Sequence, residues 1–181
     1  MNIRTTLVLG STLFSSLALG GFATLRLMPT PPSSVVIHDL VVARDISVYA
    51  EQSDAVVIGT VVEIGGAHWA RDHTMIQREV ELSVEQTLKG DPTVTRRQVV
   101  VEGGTVGERS VMVEDGVRFT PGERVLLFLG RNARDDLGVF AGAYGKYSID
   151  DQGTAVSVGD YRAPLEDLQD EILDALEASD Q

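Results

Sequence analysis

The longest regular pattern along the chain is an alternation of apolar and polar side chains over residues 76–88, with apolar residues at 80, 82 and 84. A period of two puts alternate side chains on opposite faces of an extended chain, so this stretch predicts a half-buried strand. The apolar stretch DAVVIGTVVEIGG at 54–66 is predicted to pair with it across the loop 67–74. Gly59, in the middle of that first strand, fits the bend or bulge that a small barrel needs in order to close.

The glycines at 54–66 could instead indicate the opening strand and turn of a dinucleotide-binding unit. That fold needs Gly-x-Gly-x-x-Gly at a turn from strand to helix, because the pyrophosphate sits on the helix N-terminus. Here the glycines are Gly59, Gly65 and Gly66, which is the wrong spacing, and the pattern after them is that of a second strand. The sequence therefore favours a pair of strands over a nucleotide site.

Shorter strands separated by turns rich in Gly and Pro are predicted along the rest of the chain. They lie at 97–102, at 109–114, at 125–129, within 139–149 as one bent strand or two short ones, and at 154–158 as an edge strand. The segment VLLFL at 125–129 is apolar on both faces, which predicts a central place in the sheet. Many short strands at this spacing are typical of a barrel or a sandwich.

Two helices are predicted to flank these strands. A short one covers 45–53, and a clearer one covers 165–178 after Pro164, with one apolar stripe and acidic residues off that stripe. The inward residues are Ile46, Tyr49 and Ala50 in the first helix and Leu165, Leu168, Ile172 and Leu176 in the second. The sequence therefore predicts an all-β fold, a small OB-like β-barrel with a short N-terminal helix and a C-terminal amphipathic helix.

The N-terminal segment differs from the rest of the chain, because residues 7–25 carry no charged side chain. We predict that 1–27 is either a cleaved signal peptide or a retained membrane anchor, and both alternatives place the remainder outside the cytoplasm. Residues 28–40 begin with MPTPPSS and are predicted to be a Pro/Ser-rich linker. The barrel domain is then expected at 41–163 and the acidic helix, packed on the barrel, at 164–181.

Composition limits the partners of the folded part. The formal net charge is −12, which repels nucleic-acid phosphates and anionic lipids, so we expect no nucleic acid and membrane contact only through the N-terminal segment. Cysteine is absent, so core packing has to stabilise the domain without disulfides or a thiolate zinc site. An acidic, lysine-poor surface suits a high-salt environment, although codon bias combined with an acidic tail explains the composition equally well.

Over roughly residues 45–150, the chain resembles a widespread family of uncharacterised secreted bacterial and archaeal proteins. The resemblance lies in the order of a short helix followed by SDAVVIGTVVEI, REVELSVEQTLKG, QVVVEGGTVG and FTPGERVLLFLG. The arrangement is also similar in architecture to the barrel of netrin-like modules and tissue inhibitors of metalloproteinases. The resemblance implies a secreted OB-like barrel. It does not imply the inhibitors' mechanism, which uses an N-terminal cysteine to grip the protease zinc, because this chain has no cysteine.

Candidate chemistry in the sequence is sparse. There is no Gly-x-Ser-x-Gly elbow, and the three histidines lie at 38, 68 and 73. His68, Asp72 and His73 share one loop, but their spacing is not that of a metal motif such as His-Glu-x-x-His, so we predict ordinary loop polarity. Lys146 is expected to form a salt bridge on a strand rather than to act in catalysis. We therefore predict no catalytic residue, no metal and no cofactor.

The loop 67–74 is the tentative binding surface, through His68, Trp69, Arg71 and His73. Trp and Arg are over-represented among residues that dominate binding energy, although Trp69 could instead fold back over the open end of the barrel. The function predicted from the sequence is a non-catalytic extracytoplasmic binding module of unidentified ligand. Two alternatives are kept, an inhibitor or accessory protein of an extracellular protease and a metal-dependent enzyme.

Overall fold

The computed structural model describes residues 33–37, 46–114 and 116–179 of the 181-residue chain. The predicted signal peptide or anchor at 1–27 lies outside the described residues. Five residues of the segment predicted as a linker, Ser33–Ile37, form a strand. Within the described part of the chain, no helix is both long enough and apolar enough to cross a membrane.

The described chain is mostly β-strand. The strands are β1 (Ser33–Ile37), β2 (Ala55–Ile64), β3 (His68–Trp69), β4 (Ile76–Lys89), β5 (Arg96–Glu102), β6 (Gly104–Val106), β7 (Arg109–Val113), β8 (Arg124–Arg131), β9 (Leu137–Val139), β10 (Lys146–Ile149), β11 (Thr154–Ser157) and β12 (Tyr161–Pro164). The helices are α1 (Ile46–Gln52), α2 (Leu165–Ser179) and a short 3₁₀ helix at Gly142–Gly145.

Five of these strands close into a barrel in the order β8, β2, β4, β5 and β9. The short strand β9 completes the ring, because it pairs antiparallel with β8 on one side and parallel with β5 on the other, where Val100 lies opposite Gly138. In the ring, β9 therefore lies between β5 and β8, although β8 precedes β9 along the chain. This strand order is that of a Greek-key OB-like barrel. The predicted fold class, including its two flanking helices, is confirmed.

Strand β8 separates two hydrophobic cores, and both of its faces are buried. Val125, Leu127 and Leu129 point into the barrel with the inward residues of β2, β4 and β5. Leu126 and Phe128 point the other way, into a second core beneath α1 and α2. The central position predicted for 125–129 is therefore confirmed, since all five of its residues are fully buried.

The sheet continues beyond the barrel from β8 through β10 and β11 to β12. The prediction that 154–158 forms the edge strand is wrong, because β12 pairs with β11 and takes the edge position. A three-residue loop, 158–160, returns the chain between Ser157 and Tyr161, with Gly159 and Asp160 both at positive φ. Such a loop with residues in the left-handed region joins hairpin strands directly.

A second, three-stranded sheet has the order β1, β7 and β6. The strands β6 and β7 form a hairpin, and the backbone of β1 runs parallel to β7 with Ser33 opposite Arg109 and Ile37 opposite Val113. The sequence predicts a turn between two strands, and no strand, where β6 lies. At Gly104 an added Cβ would meet the Cβ of Ala67 at 2.7 Å, so the hairpin lies close against the loop 67–74.

Candidate functional site

The candidate site is a cleft of about 420 Å³ at one end of the barrel. Its walls are the hairpin β6–β7, the last residues of β5, inward residues of β4 and the segment 116–119 that leads towards β8. Most of its side chains are apolar, and they are Ile64, Val80, Val101, Val111, Met112, Val113, Val117 and Phe119. The end of the barrel thus opens into a cleft with an apolar lining.

The segment 116–119 holds this end of the barrel partly closed. Val117 and Phe119 are half-buried and pack against the barrel-interior core. Two further clefts share Gly116 and Val117, one against the outer face of β10 and β11 and the other against β9. Three clefts therefore meet at this short segment.

Lys146 fixes the segment 116–119 in place. Its Nζ donates to the carbonyl oxygen of Arg118 at 2.6 Å and lies 5.0 Å from the centre of the Phe119 ring. The same Nζ forms an ion pair of 2.6 Å with Oε1 of Glu123, and both side chains are largely buried. The predicted salt bridge of Lys146 is confirmed, and its role is to join strand β10 to the segment at the barrel end.

Glu123 is the shared acceptor of this cluster. Its Oε1 also accepts the hydroxyl of Ser148, and its Oε2 accepts the backbone N–H of Thr120 at 3.0 Å. Burial acts to raise the pKa of Glu123, but the hydrogen bonds from Lys146 and Ser148 outweigh it and hold the pKa below its ordinary value. Glu123 therefore stays ionised, and Lys146 stays paired with its charge.

Trp69 joins the predicted binding loop to the hairpin. It is half-buried, it lies opposite Ile76 in the ladder between β3 and β4, and it belongs to neither hydrophobic core. The guanidinium carbon of Arg109 in β7 lies 5.8 Å from the centre of its ring, and the ring of His73 lies 6.5 Å away. Trp69 thus packs beside the cleft, under an arginine, rather than inside the barrel.

The other predicted loop residues are dispersed. His68 Nδ1 lies 3.2 Å from the carbonyl oxygen of Gly66, and its Nε2 lies 3.9 Å from Glu79 Oε1. Arg71 and His73 are exposed. Among the residues that the structure describes, no group of three or more His, Asp or Glu side chains is arranged to hold a metal ion.

Asp72 stabilises a turn within the same loop. Its Oδ1 accepts the backbone N–H of Thr74 at 3.1 Å and the Thr74 hydroxyl at 2.8 Å. These hydrogen bonds, the backbone one first, hold the pKa of Asp72 below its ordinary value. The carboxylate thereby closes an Asx turn, the usual local use of an aspartate between two strands.

The sequence did not predict that Arg78 and β7 line a cleft, although the strand itself was predicted at 109–114. A signal for Arg78 was present, because residues 76, 78, 80 and 82 share the inward face of β4 and Arg78 is the one charged member. A charged side chain at an inward position near a strand end indicates an open barrel end. Nothing comparable marked the segment 116–119, which has no alternation of its own.

No protein-family model matches the chain, and no curated protein matches it significantly. The resemblance to secreted netrin-like modules therefore stays a prediction.

Proposed function

We propose that the protein is a non-catalytic binding module that holds a segment of another polypeptide at the open end of its barrel, outside the cytoplasm. The observation that carries this proposal is the apolar cleft between the hairpin β6–β7 and the barrel. Its volume of about 420 Å³ falls within the range of pockets that bind ligands. The contact surface is thus shifted from the loop 67–74 to the neighbouring cleft, with Trp69 and Arg109 beside it.

The exposure of Met112 supports a protein contact at this place. Met112 lines the cleft and is 60% exposed, the highest value among the large apolar side chains described as exposed. Methionine adapts its shape to varied partners, and aromatic and arginine side chains such as Trp69 and Arg109 are frequent in binding surfaces. An apolar cleft with these neighbours suits a polypeptide segment that buries one or two apolar side chains.

The non-catalytic part of the proposal rests on how the polar groups are engaged. Ser148 and Lys146 line the adjacent cleft against β10 and are the nearest pair that resembles a nucleophile with a base. The Nζ of Lys146 and the hydroxyl of Ser148 both donate to the same oxygen of Glu123, so the two groups share one carboxylate acceptor. This arrangement supports a structural role for the pair.

The extracytoplasmic part rests on the charge-free segment 7–25. Fractionation of cells that express the full chain tests it. We expect the protein in the membrane or in the exported fraction, and full-length protein that is soluble in the cytoplasm would contradict this part of the proposal.

The binding function is tested by selecting a displayed random-peptide library on the immobilised full-length protein. We expect peptides that bind the wild type and lose affinity at least about tenfold for Met112→Asp. The matched control is Leu173→Asp, an equally polar change at an exposed apolar residue of α2, which is 41% exposed. A library that yields no binders, or binders that are sensitive only to Leu173→Asp, would contradict the proposal.

A further inference from the structure

We infer that the polypeptide segment accepted by the cleft is acidic as well as apolar. This inference rests on the proposed function and adds the chemistry of the partner. It comes from the distribution of arginine side chains and their ion pairs over the described part of the chain.

The arginines that form ion pairs within the described part of the chain are not among the residues that line the cleft. Arg96 pairs with Glu81, Arg124 with Glu85, Arg131 with Asp135, and Arg134 with Glu102 and Asp136. Arg78 and Arg118 line the cleft, are exposed, and make no ion pair with any described carboxylate. Arg109, at the start of β7, is engaged with the face of Trp69 rather than with a carboxylate.

The one described carboxylate in the cleft wall is already neutralised. Glu102 lines the cleft, but its Oε1 lies 2.6 Å from Nη2 of Arg134, which raises the pKa of that guanidinium through the hydrogen bond and the opposite charge. Arg78 and Arg118 therefore supply the uncompensated side-chain charge among the described residues of the lining. A ligand carboxylate that approaches the cleft meets two guanidinium groups that form no ion pair with another described residue.

This local positive charge stands out because the whole chain is acidic. The formal net charge is −12, and α2 exposes six carboxylates on its outer surface, at Glu166, Asp167, Asp170, Glu171, Asp174 and Glu177. An acidic partner is repelled by most of such a surface and attracted at the cleft, which orients it during the encounter. Guanidinium groups also match carboxylates in a two-pronged geometry.

An extended chain fits this place better than a compact small molecule. The three clefts that meet at Gly116 and Val117 form a branched set of grooves rather than one closed cavity. A peptide can place apolar side chains in the cleft and acidic side chains against Arg78 and Arg118.

The test uses the peptides selected on the full-length wild type and versions in which each Asp or Glu is replaced by Asn or Gln. We expect the selected peptides to be rich in Asp or Glu beside Leu, Ile, Val or Phe, and the amide versions to bind at least about tenfold more weakly. Their affinity should also fall as salt rises, a measurement that needs no protein variant.

Charge reversal on the protein supplies the second arm. Arg78→Glu and Arg118→Glu should each weaken the acidic peptides at least about tenfold and leave the amide versions nearly unchanged. The control is Arg162→Glu, which reverses an exposed arginine on the edge strand β12 that also makes no ion pair with a described carboxylate. It should change affinity less than about twofold, because exposed distant charges are screened.

The outcomes separate the inference from the proposed function. Peptides whose affinity falls with Met112→Asp but not with amide replacement or added salt would overturn the acidic preference. The proposed binding function would not be affected by that result. Failure to select any peptide would overturn both. Binding of dodecanoate, a single-chain carboxylate, to the wild type without any peptide binding would show that the arginines serve a small amphiphile, which also overturns the inference.

Discussion

The pair of Lys146 and Glu123 shows how single side chains hold the barrel end together. The lysine binds the carbonyl of Arg118 and stacks on Phe119, while the glutamate binds the backbone at Thr120. Both groups are largely buried, at 12% and 18% side-chain exposure. Removing either partner leaves the other charge poorly solvated, which is the costly way to break such a pair.

Glu123 should make stability depend on pH in a defined direction. Because its pKa in the folded protein lies below the ordinary value of 4.5, ionised Glu123 stabilises the fold above about pH 4.5, and this contribution is lost as pH falls through the folded pKa. Glu123→Gln should cost about 1.5–3 kcal/mol at neutral pH, in the range for hydrogen bonds to charged groups. Urea unfolding of both proteins from neutral to acidic pH measures the difference, which should shrink below about pH 4.5.

Glu85 provides the control for that experiment. It also pairs with an arginine, Arg124, but the two side chains are 36% and 43% exposed. Surface pairs contribute about 0–1 kcal/mol, so Glu85→Gln should have the smaller effect. Equal losses in the two variants, or a Glu123 difference that does not change with pH, would mean that the buried pair has no special role.

At the scale of whole elements, the bulge at Gly59 sets how β2 and β4 meet. The register between these strands shifts between Ile58 and Gly59, and an added Cβ at Gly59 would lie 2.4 Å from the carbonyl oxygen of Ser83. That distance is shorter than any van der Waals contact, so the backbones can approach this closely only with glycine. The predicted bend or bulge at this residue is therefore confirmed.

Gly59→Ala should consequently destabilise the barrel by about 1–3 kcal/mol, as overpacked cores are, because two backbones must move apart. Gly66→Ala is the matched control, since no described atom lies within 4 Å of a Cβ there and the change should stay within about 0.5 kcal/mol. Free energies of unfolding from urea titrations give both values. Similar costs at Gly59 and Gly66 would contradict the close approach of the strands.

An element could be predicted from the sequence where a local pattern of apolar residues determines it, and not where a contact with a distant residue does. The alternation in β4 and the stripe in α2 are local, and both were predicted with bounds that differ by one residue from those observed. Of the hairpin β6–β7 only β7 was predicted as a strand, because Gly104 and its neighbours carry no apolar alternation. The strand β6 pairs with β7 through the backbone and through the hydroxyls of Thr105 and Ser110. The partner of Lys146 was equally hidden, since Glu123 lies 23 residues earlier.

At the scale of the whole molecule, the barrel and the helices provide stability, and the hairpin at the barrel end forms the cleft. The two cores on either side of β8 hold the scaffold, while the cleft is built from the hairpin and the segment 116–119 at the barrel end. Binding residues are commonly carried by connecting segments on a rigid scaffold. The acidic surface of α2 and the cleft arginines Arg78 and Arg118, which form no ion pair with a described carboxylate, then give the described part of the chain two regions of opposite charge.

Hydrogen exchange measured by mass spectrometry, on the full-length protein with and without a selected peptide, tests most directly whether the cleft is the binding surface. If the cleft is the binding surface, we expect slower exchange of backbone amides in the hairpin 104–113 and in the segment 116–119, with no change in α2. Slower exchange confined to α2, or to the loop 67–74 without the hairpin, would contradict it.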